Sequence, residues 1–421
     1  MNNDNQHTEF IIEDVSTPVV ILKCAHHGSL VIARSLGRLG ITVYGIDSDP
    51  RSAGLFSKYF SEKYIWDIEN ESDQATVQFL EKIGKRVGRP SILIPTADEV
   101  VLFLYRNSTK LREWYIFPDL SFDLVQTLCS KKEMYFLAKK MGIPTAETSF
   151  PNSKNEVEKY LRSAIFPIML KGIDGRKLEL QTGKKMFITK TKEELLDLYD
   201  RYETPSSPNF MLQEYIPGGD DSVWMFNGYF NEKSECKFYI TGKKIRQAPV
   251  YTGYTSLGIC VKNKIVGEST KLFMKEIGYK GILDIGYRFD RRDGKYKVLD
   301  VNPRIGATFR LFVATNGMDT ARAAYLDLLG KQIPFSQPIA GRKWFVEDRD
   351  VVSSIKYFHD KNLSIREWVT SFRGVQEAAW FAWDDLYPFF VMCWGFAKKI
   401  FKSRSNHQLK QQTFSHSTKI R

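Results

Sequence analysis

The stretch DIGYRFDRRDGKYKVLDVNPRIGATFR, residues 284–310, decides the fold of this 421-residue chain. The turn signal Arg292-Asp293-Gly294 separates two apolar runs, and this pattern predicts a β-hairpin. Asp300 and Asn302 stand two residues apart on the second strand, so both side chains point to one face. Pro303 then ends that strand. A carboxylate and an amide on one face supply the oxygen donors that a hard cation such as Mg²⁺ prefers.

A second segment, FPIMLKGIDGRK, is an apolar strand whose last residue is Lys171, followed by a loop that contains Gly172 and Gly175. Burying an ammonium group is costly unless an anion lies against it. We therefore expect a phosphate as the partner of Lys171.

A third segment, FMLQEYIPGGDD, is a strand followed by a Pro-Gly-Gly turn and two acids. An extended backbone offers the donor and the acceptor that an adenine needs, and a carboxylate a few residues later suits a ribose diol. A fourth, TGKKIRQAPVYTGYTSLG, places Lys243, Lys244 and Arg246 before a stretch rich in Gly, Thr and Ser. Arg246 lies two residues from Lys244, so we expect the two side chains to share a strand face.

Upstream, residues 19–46 alternate strand, helix and strand, which predicts a βαβ unit. Only Gly28 stands where a dinucleotide-binding turn needs three glycines, so NAD binding is not favoured. Helix-capping boxes are predicted at three places. They are Thr96 with Glu99, Ser130 with Glu133, and Thr191 with Glu194. The first 330 residues are therefore predicted to have an α/β fold throughout.

Composition is that of a soluble enzyme, with 43% hydrophobic and 26% charged residues, which argues against disorder. The net charge of +12 is concentrated at one end, because seven Lys and Arg residues and no acid follow Asp385. The body is only mildly basic, so no nucleic acid partner is expected. Five cysteines without metal-binding spacing indicate reduced thiols and a cytoplasmic protein. Between His27 and His359 there is no histidine, which leaves a Ser/His/Asp triad without support.

The segment LYPFFVMCWGFAKKIF, residues 386–401, is apolar for 12 residues and then basic. It is too short to span a bilayer, for which about 20 residues are needed. Three alternatives stay open: an interfacial contact with the inner face of a membrane, a helix docked on the protein itself, or a contact with a partner helix.

Taken in order, these segments resemble the ATP-grasp superfamily, with SKKEMYFLAKKMGIPTAET resembling its "DK…GIP" motif and DVNPR its "E-x-N-P-R" motif. Within the superfamily they resemble the carboxylate–amine ligase group that includes D-aspartate ligases. The resemblance implies an α/β ATP-grasp fold with a Rossmann-like pre-ATP-grasp domain and a C-terminal helical extension. The implied divisions are a disordered N-terminus (1–18), the pre-ATP-grasp domain (19–120), the ATP-grasp domain (121–331), the helical region (332–405) and a disordered basic tail (406–421).

The resemblance also implies site residues for ATP and Mg²⁺. Lys131 and Lys171 would contact the phosphates, and the glycine-bearing loop would close over them. The adenosine contacts would come from Gln213, Glu214, Ile216 and Asp220. Asp300 and Asn302 would hold Mg²⁺, and Asp284 would substitute for a second carboxylate that the family places at Gly286. Arg246, Arg304 and Lys171 would act in catalysis.

The activity that this resemblance implies is an ADP-forming ligase that joins a small carboxylate to an amine through an acyl phosphate. Cell-surface polymer or peptidoglycan synthesis is one setting for such an enzyme. A nucleotide-binding regulator without turnover and a purine-synthesis type of ligase are the alternatives, and a homodimer stays open. The sequence does not identify the two substrates.

Overall fold

The computed structural model describes residues 10–398. Residues 10–18 are packed rather than disordered: Ile12 is buried in the main core, and Phe10 and Val15 lie against it. The prediction of disorder is therefore wrong for residues 10–18, because the apolar side chains of this segment pack against the core. Residues 1–9 and the predicted basic tail lie outside the described residues.

The first domain is a five-stranded parallel sheet with the strand order β3-β2-β1-β4-β5. All four residues of β1 are buried, as expected of a parallel sheet covered on both faces. The strands are β1 (Val19–Leu22), β2 (Val43–Asp47), β3 (Phe60–Ile65), β4 (Ser91–Pro95) and β5 (Tyr115–Ile116). The helices are α1 (His27–Gly37), α2 (Asp73–Val87), α3 (Asp98–Arg106) and α4 (Ser108–Leu111), and α5 (Phe122–Cys129) and α6 (Lys131–Lys140) lead out of the domain.

A small four-stranded antiparallel sheet follows, with the order β6-β9-β7-β8. Its apolar side chains, such as Leu170, Leu195 and Leu212, form a hydrophobic core of their own. The strands are β6 (Thr148–Ser149), β7 (Ile168–Gly172), β8 (Met186–Thr189) and β9 (Phe210–Glu214). The helices are α7 (Lys154–Leu161), α8 (Gly175–Thr182) and α9 (Lys192–Tyr202).

The largest sheet has seven strands in the order β14-β13-β10-β11-β12-β15-β16. Its strands are β10 (Val223–Phe230), β11 (Cys236–Ala248), β12 (Tyr254–Cys260), β13 (Gly281–Asp290), β14 (Lys295–Asn302), β15 (Lys343–Phe345) and β16 (Val375–Ala378). Its helices are α10 (Lys264–Glu276), α11 (Thr320–Leu328), α12 (Glu347–His359) and α13 (Ile365–Ser371). The predicted hairpin is β13 and β14. The C-terminal region is helical, as expected, but it also adds β15 and β16 to the sheet.

At two of the three predicted capping boxes the N-cap half is present, and the return bond that the N-cap N–H would donate to the glutamate side chain is not formed. The side chains of Ser130 and Thr191 accept the backbone N–H groups of Glu133 and Glu194. The third prediction, Thr96 with Glu99, is wrong, because α3 begins at Asp98 without a side-chain cap. The Thr96 hydroxyl instead donates to the carbonyl oxygen of Lys23 at 2.6 Å. The neighbouring parallel strand thus takes the hydroxyl that a cap would need.

Candidate functional site

Three lysines that the sequence places far apart converge between the four-stranded and seven-stranded sheets. We call Lys131, Lys171 and Lys244 the cleft lysines. Their Nζ atoms donate to the carbonyl oxygen of Gly172 (2.9 Å), to Gln213 Oε1 (2.6 Å) and to the carbonyl oxygen of Gly253 (2.7 Å), respectively. Among residues 10–398, none of the three forms an ion pair with a carboxylate.

The electrostatics of the cleft lysines reflect this lack of a counter-charge. Burial lowers the pKa of Lys171 to about 8, and the nearby Lys131 lowers it further. Burial also lowers the pKa of Lys244 to about 8, against the opposing effect of Asp284. The pKa of Lys131 is lowered by the same cause. Asp300 acts on all three lysines at a distance, so they surround one acid without touching it.

A fourth cation lies beside them and was missed by sequence reasoning. Arg288 stands on β13, two residues from Gly286 and four from Asp284, so strand periodicity could have found it. Its Nη2 donates to the carbonyl oxygen of Gly218 at 2.6 Å. Its Nε atom is buried and has no hydrogen-bond partner among the described residues. A buried donor without a partner is costly, and an anionic ligand would satisfy it.

The predicted metal-binding residues Asp284, Asp300 and Asn302 lie across the cleft from these cations. In the β13–β14 register Asp284 is opposite Asn302, and Gly286 is opposite Asp300. The Asn302 side chain donates to Asp300 Oδ2 at 3.1 Å. Burial raises the pKa of Asp284 to about 6, and Asp300 adds to the effect. Gly306 leaves the room for this carboxylate, because a Cβ there would lie 2.2 Å from Asp284 Oδ2.

The donor set fits Mg²⁺ in chemistry, since two carboxylates and an amide oxygen are hard oxygen ligands. Among the described residues, no group of three or more His, Cys, Asp or Glu residues has the arrangement of a metal site. A cation at Asp300, Asn302 and Asp284 would thus need further oxygen ligands from phosphate and water. At Gly286 a Cβ would meet no atom within 4 Å, so the position opposite Asp300 is open.

The predicted adenine strand β9 runs along the same cleft. The Gln213 side chain bridges Lys171 Nζ and the hydroxyl of Thr148. The Glu214 N–H donates to the carbonyl oxygen of Glu147 at 2.8 Å, so only its carbonyl stays available to a base. The N–H of Ile216, a buried residue, makes no hydrogen bond within residues 10–398.

Asp220, predicted to bind the ribose, is already engaged. Its Oδ1 accepts from Gln247 Nε2 at 2.7 Å, and its Oδ2 accepts from the hydroxyl of Tyr357 on α12. A ribose would have to share or displace these donors. Because Tyr357 is far from Asp220 in sequence, no local pattern indicates this contact.

Arg304 lies where the seven-stranded sheet meets the first domain. Its Nε donates to Asp98 Oδ1 at 2.5 Å, and its Nη2 donates to Asn302 Oδ1 at 3.0 Å. Burial opposes its charge, but Asp98, Asp284 and Asp300 outweigh burial and raise its pKa. Asp98, the first residue of α3, is thus also a contact of the site, at the carboxyl end of β4 where parallel sheets bind ligands.

The structure does not bring Arg246 to this cleft. It forms a buried two-point ion pair with Asp350 on α12, at 2.8 and 2.9 Å. The expectation that it shares a face with Lys244 is wrong, because the pairing of β11 with β12 shifts between these two residues. A β-bulge breaks the alternation of side chains and re-aims one of them. Lys244 reaches the cleft and Arg246 faces the helix.

The predicted glycine loop is shorter than expected. Strand β7 ends at Gly172 and helix α8 already begins at Gly175. The Asp174 carboxylate accepts the N–H groups of Arg176 and Lys177 at 2.8 and 3.1 Å. These N–H groups were expected to face phosphate, and in this structure an acidic N-cap satisfies them instead.

No family model matches the chain. It is 25% identical over 240 residues to the D-aspartate ligase of Enterococcus faecium (strain Aus0004), which covers 55% of this chain and 57% of that protein. It is 22% identical over 220 residues to the arginine-specific large chain of carbamoyl phosphate synthase of Geobacillus stearothermophilus, covering 51% of this chain and 20% of that one. The chain thus spans about half or less of the curated relatives it matches.

Solved structures match over more of the chain. N5-carboxyaminoimidazole synthetase from Staphylococcus aureus aligns with a TM-score of 0.59 at 11% identity, over 80% of this chain and 83% of that chain. The L-amino acid ligase from Bacillus licheniformis aligns with a TM-score of 0.56 at 11% identity, over 77% and 75%. The biotin carboxylase domain of the Hydrogenobacter thermophilus 2-oxoglutarate carboxylase, solved with MgADP and bicarbonate, gives 0.56 at 17% identity, over 76% and 71%. The chain therefore shares the fold of these enzymes, the ATP-grasp fold predicted from its motifs. The predicted resemblance to D-aspartate ligases is confirmed by the sequence similarity.

Proposed function

We propose that this protein is an ATP-dependent ligase that activates a small carboxylate as an acyl phosphate and joins it to an amine. One observation carries the proposal. The cleft lysines and Arg288 converge without a directly contacting carboxylate, opposite a pair of aspartates that could share a divalent cation. A polyphosphate with Mg²⁺ suits both sets of residues: the phosphate oxygens would bind the lysines and Arg288, and the metal ion would bind the aspartates.

The cleft lysines are assigned to the phosphate oxygens, where they neutralise charge as the phosphoryl group moves. Mg²⁺, held by Asp300, Asn302 and Asp284, would screen the negative charge of the phosphates. Phosphoryl transfer is catalysed mainly by such positioning and charge neutralisation, so no nucleophilic side chain is required.

The nucleoside is assigned to β9 and the turn after it. The free N–H of Ile216 and the carbonyl of Glu214 are the backbone donor and acceptor for an adenine edge. Asp220 is kept as the ribose contact, and the ribose would then displace the hydroxyl of Tyr357. This displacement would couple nucleotide binding to α12.

Arg304 is assigned to the carboxylate substrate. Its planar guanidinium suits the oxyanions of a carboxylate and of the adduct that forms when the amine attacks. In this structure Asp98 occupies that guanidinium. The substrate carboxylate would compete with Asp98 for it.

The similarity to D-aspartate ligase favours an acidic amino acid as one substrate and cell-surface polymer synthesis as the setting. The structural neighbours include N5-carboxyaminoimidazole synthetases, so a purine-synthesis type of reaction is the second candidate. The open position at Gly286 favours the third alternative, a nucleotide-binding regulator without turnover. The three differ in whether ADP release depends on an amine, and on which amine.

The experiment is a screen of amino acids and amino-containing nucleotides, with ADP release as the readout and mass spectrometry of the product. With ¹⁸O in the donor carboxylate, the proposal predicts that one labelled oxygen appears in the released phosphate. Release of AMP and pyrophosphate would contradict the acyl-phosphate route. Nucleotide binding without any amine-dependent ADP release across the screen would support the regulator instead.

A further inference from the structure

Residues 387–398 form the last helix that the structure describes, and we call them the aromatic helix. One of its faces docks on the protein, through two apolar side chains that pack against the main core, Phe389 and Met392. At the start of the helix, Tyr387 lies on the opposite face, and the edge of its ring meets Phe56 with centroids 5.3 Å apart. The docked-helix alternative therefore describes one side of this helix.

The opposite side of the aromatic helix is exposed. Tyr387, Phe390 and Trp394 follow one another at helical spacings of three and four residues, so they line one face. Their exposed fractions are 60%, 57% and 65%. Trp383, just before the helix, is 84% exposed. A run of exposed aromatic side chains on a water-soluble surface marks an interaction site.

Charge identifies the partner. The described part of the helix reaches Lys398. The sequence continues with Lys399, Lys402 and Arg404 and contains no Asp or Glu after Asp385. The acids that precede the helix are already neutralised, since Asp384 pairs with Arg38 and Asp385 with Arg34, each at 2.9 Å. The exposed aromatic face thus adjoins a stretch of sequence that contains Lys and Arg residues and no acid.

We propose that the aromatic helix binds the surface of an anionic lipid bilayer. Tyr and Trp side chains favour the headgroup level of a membrane, and Lys and Arg next to them are attracted to anionic lipids. Among residues 10–398, no helix is long and apolar enough to cross a bilayer. The contact is therefore interfacial. It uses none of the cleft residues and stands apart from the ligase proposal.

A second copy of the chain is a poorer occupant of this face. In a two-fold dimer both copies contribute the same surface, so the interface would bring together two basic segments that contain no acids to pair with them. Like charges without counter-charges repel, and the cations would remain unanswered. An anionic bilayer would bind the aromatic face and also attract the cations.

The test is co-sedimentation of the full chain with vesicles. We expect binding to phosphatidylglycerol/phosphatidylcholine vesicles that weakens at high salt, and little binding to phosphatidylcholine alone. The double variant Phe390→Ser/Trp394→Ser should bind about tenfold more weakly or worse, because it removes the apolar contact. The matched control is Ile265→Ser/Leu272→Ser, which removes two exposed apolar side chains from α10 and should bind like the wild type.

A second readout needs no change to the aromatic face. Cys393 is the exposed cysteine of the described chain, so a polarity-sensitive maleimide dye can be attached beside Trp394. Its emission should shift to the blue on anionic vesicles, whereas a dye at Leu272→Cys in a Cys393→Ser background should not respond. Equal binding by both double variants would overturn the proposal. So would an unresponsive dye with self-association that Phe390→Ser/Trp394→Ser abolishes, since the face would then be a dimer contact.

Discussion

The chain buries cationic side chains in two regions. The two regions differ in whether a carboxylate neutralises the buried charge. Where the C-terminal extension docks, three buried arginines each meet an acid. We call Arg34, Arg246 and Arg310 the paired arginines; they contact Asp385 at 2.9 Å, Asp350 at 2.8 Å and Asp319 at 2.6 Å. The cleft lysines meet only neutral oxygen atoms.

This difference separates structure from function. A buried charge is expensive, and removing one partner of a buried pair leaves the other unanswered. Removing one partner from an arginine pair should therefore destabilise the native fold. The cleft lysines carry an unanswered cost in the free protein, which an anionic ligand would relieve. Losing a cleft group should impair binding or turnover, whereas losing a member of an arginine pair should impair stability.

The largest expected effect comes from the acids. Asp300→Ala should lower turnover by at least about 10²–10³-fold while the fold stays intact, because it removes a charge that a metal and the reacting phosphate need. Asp350→Ala should instead lower the free energy of unfolding by about 3–5 kcal/mol, since it leaves Arg246 buried and unpaired. ADP release and urea denaturation measure the two quantities.

As a control for the acids, Asp293→Ala removes a carboxylate from the turn of the same hairpin and should change turnover little. If Asp300→Ala unfolded the protein while Asp350→Ala kept its stability and lost turnover, the division between the two regions would be reversed.

The next effect comes from the cations. Lys171→Met should weaken nucleotide binding by about 2–3 kcal/mol, the scale of a lost charge-assisted contact. It should leave the unfolding free energy unchanged or raised, because it removes a desolvated charge. Arg246→Met should do the opposite: a lower unfolding free energy and nearly normal nucleotide affinity in the folded fraction. Titration calorimetry with a non-hydrolysable ATP analogue, together with urea denaturation, compares them. If Lys171→Met and Arg246→Met changed nucleotide affinity and unfolding free energy equally, the proposed difference between the two regions would be wrong.

Strand periodicity predicted the parts of the site that depend on it. Asp300 and Asn302 lie on one face of β14, and Lys171 stands at the end of β7, because a two-residue repeat is a local property of the backbone. The βαβ unit and the hairpin were likewise visible in the sequence. These elements carry most of the fold.

The rest depended on contacts between distant segments. Whether Lys244 or Arg246 faces the cleft is decided by a bulge against β12, which no local pattern reveals. The hydroxyl of Tyr357 reaches Asp220 across 137 residues of sequence. Such contacts are set by how the C-terminal extension packs, and residue spacing does not encode them.

The central claim is that the cleft lysines lack an anion that the nucleotide supplies, and proton exchange on binding tests it most directly. The pKa values of Lys171 and Lys244 are lowered to about 8, so above pH 8 these side chains lose their protons and nucleotide affinity should fall. A phosphate bound next to Lys171 and Lys244 would raise their pKa values, so both side chains would take up protons and become positively charged again. Calorimetry at pH 8.5 in two buffers of different ionisation enthalpy should therefore report uptake of about one proton or more per nucleotide. The uptake should vanish at pH 6.5, where both lysines are already charged, and in Lys171→Met/Lys244→Met. No uptake at pH 8.5, or the same uptake in the double variant, would contradict the account.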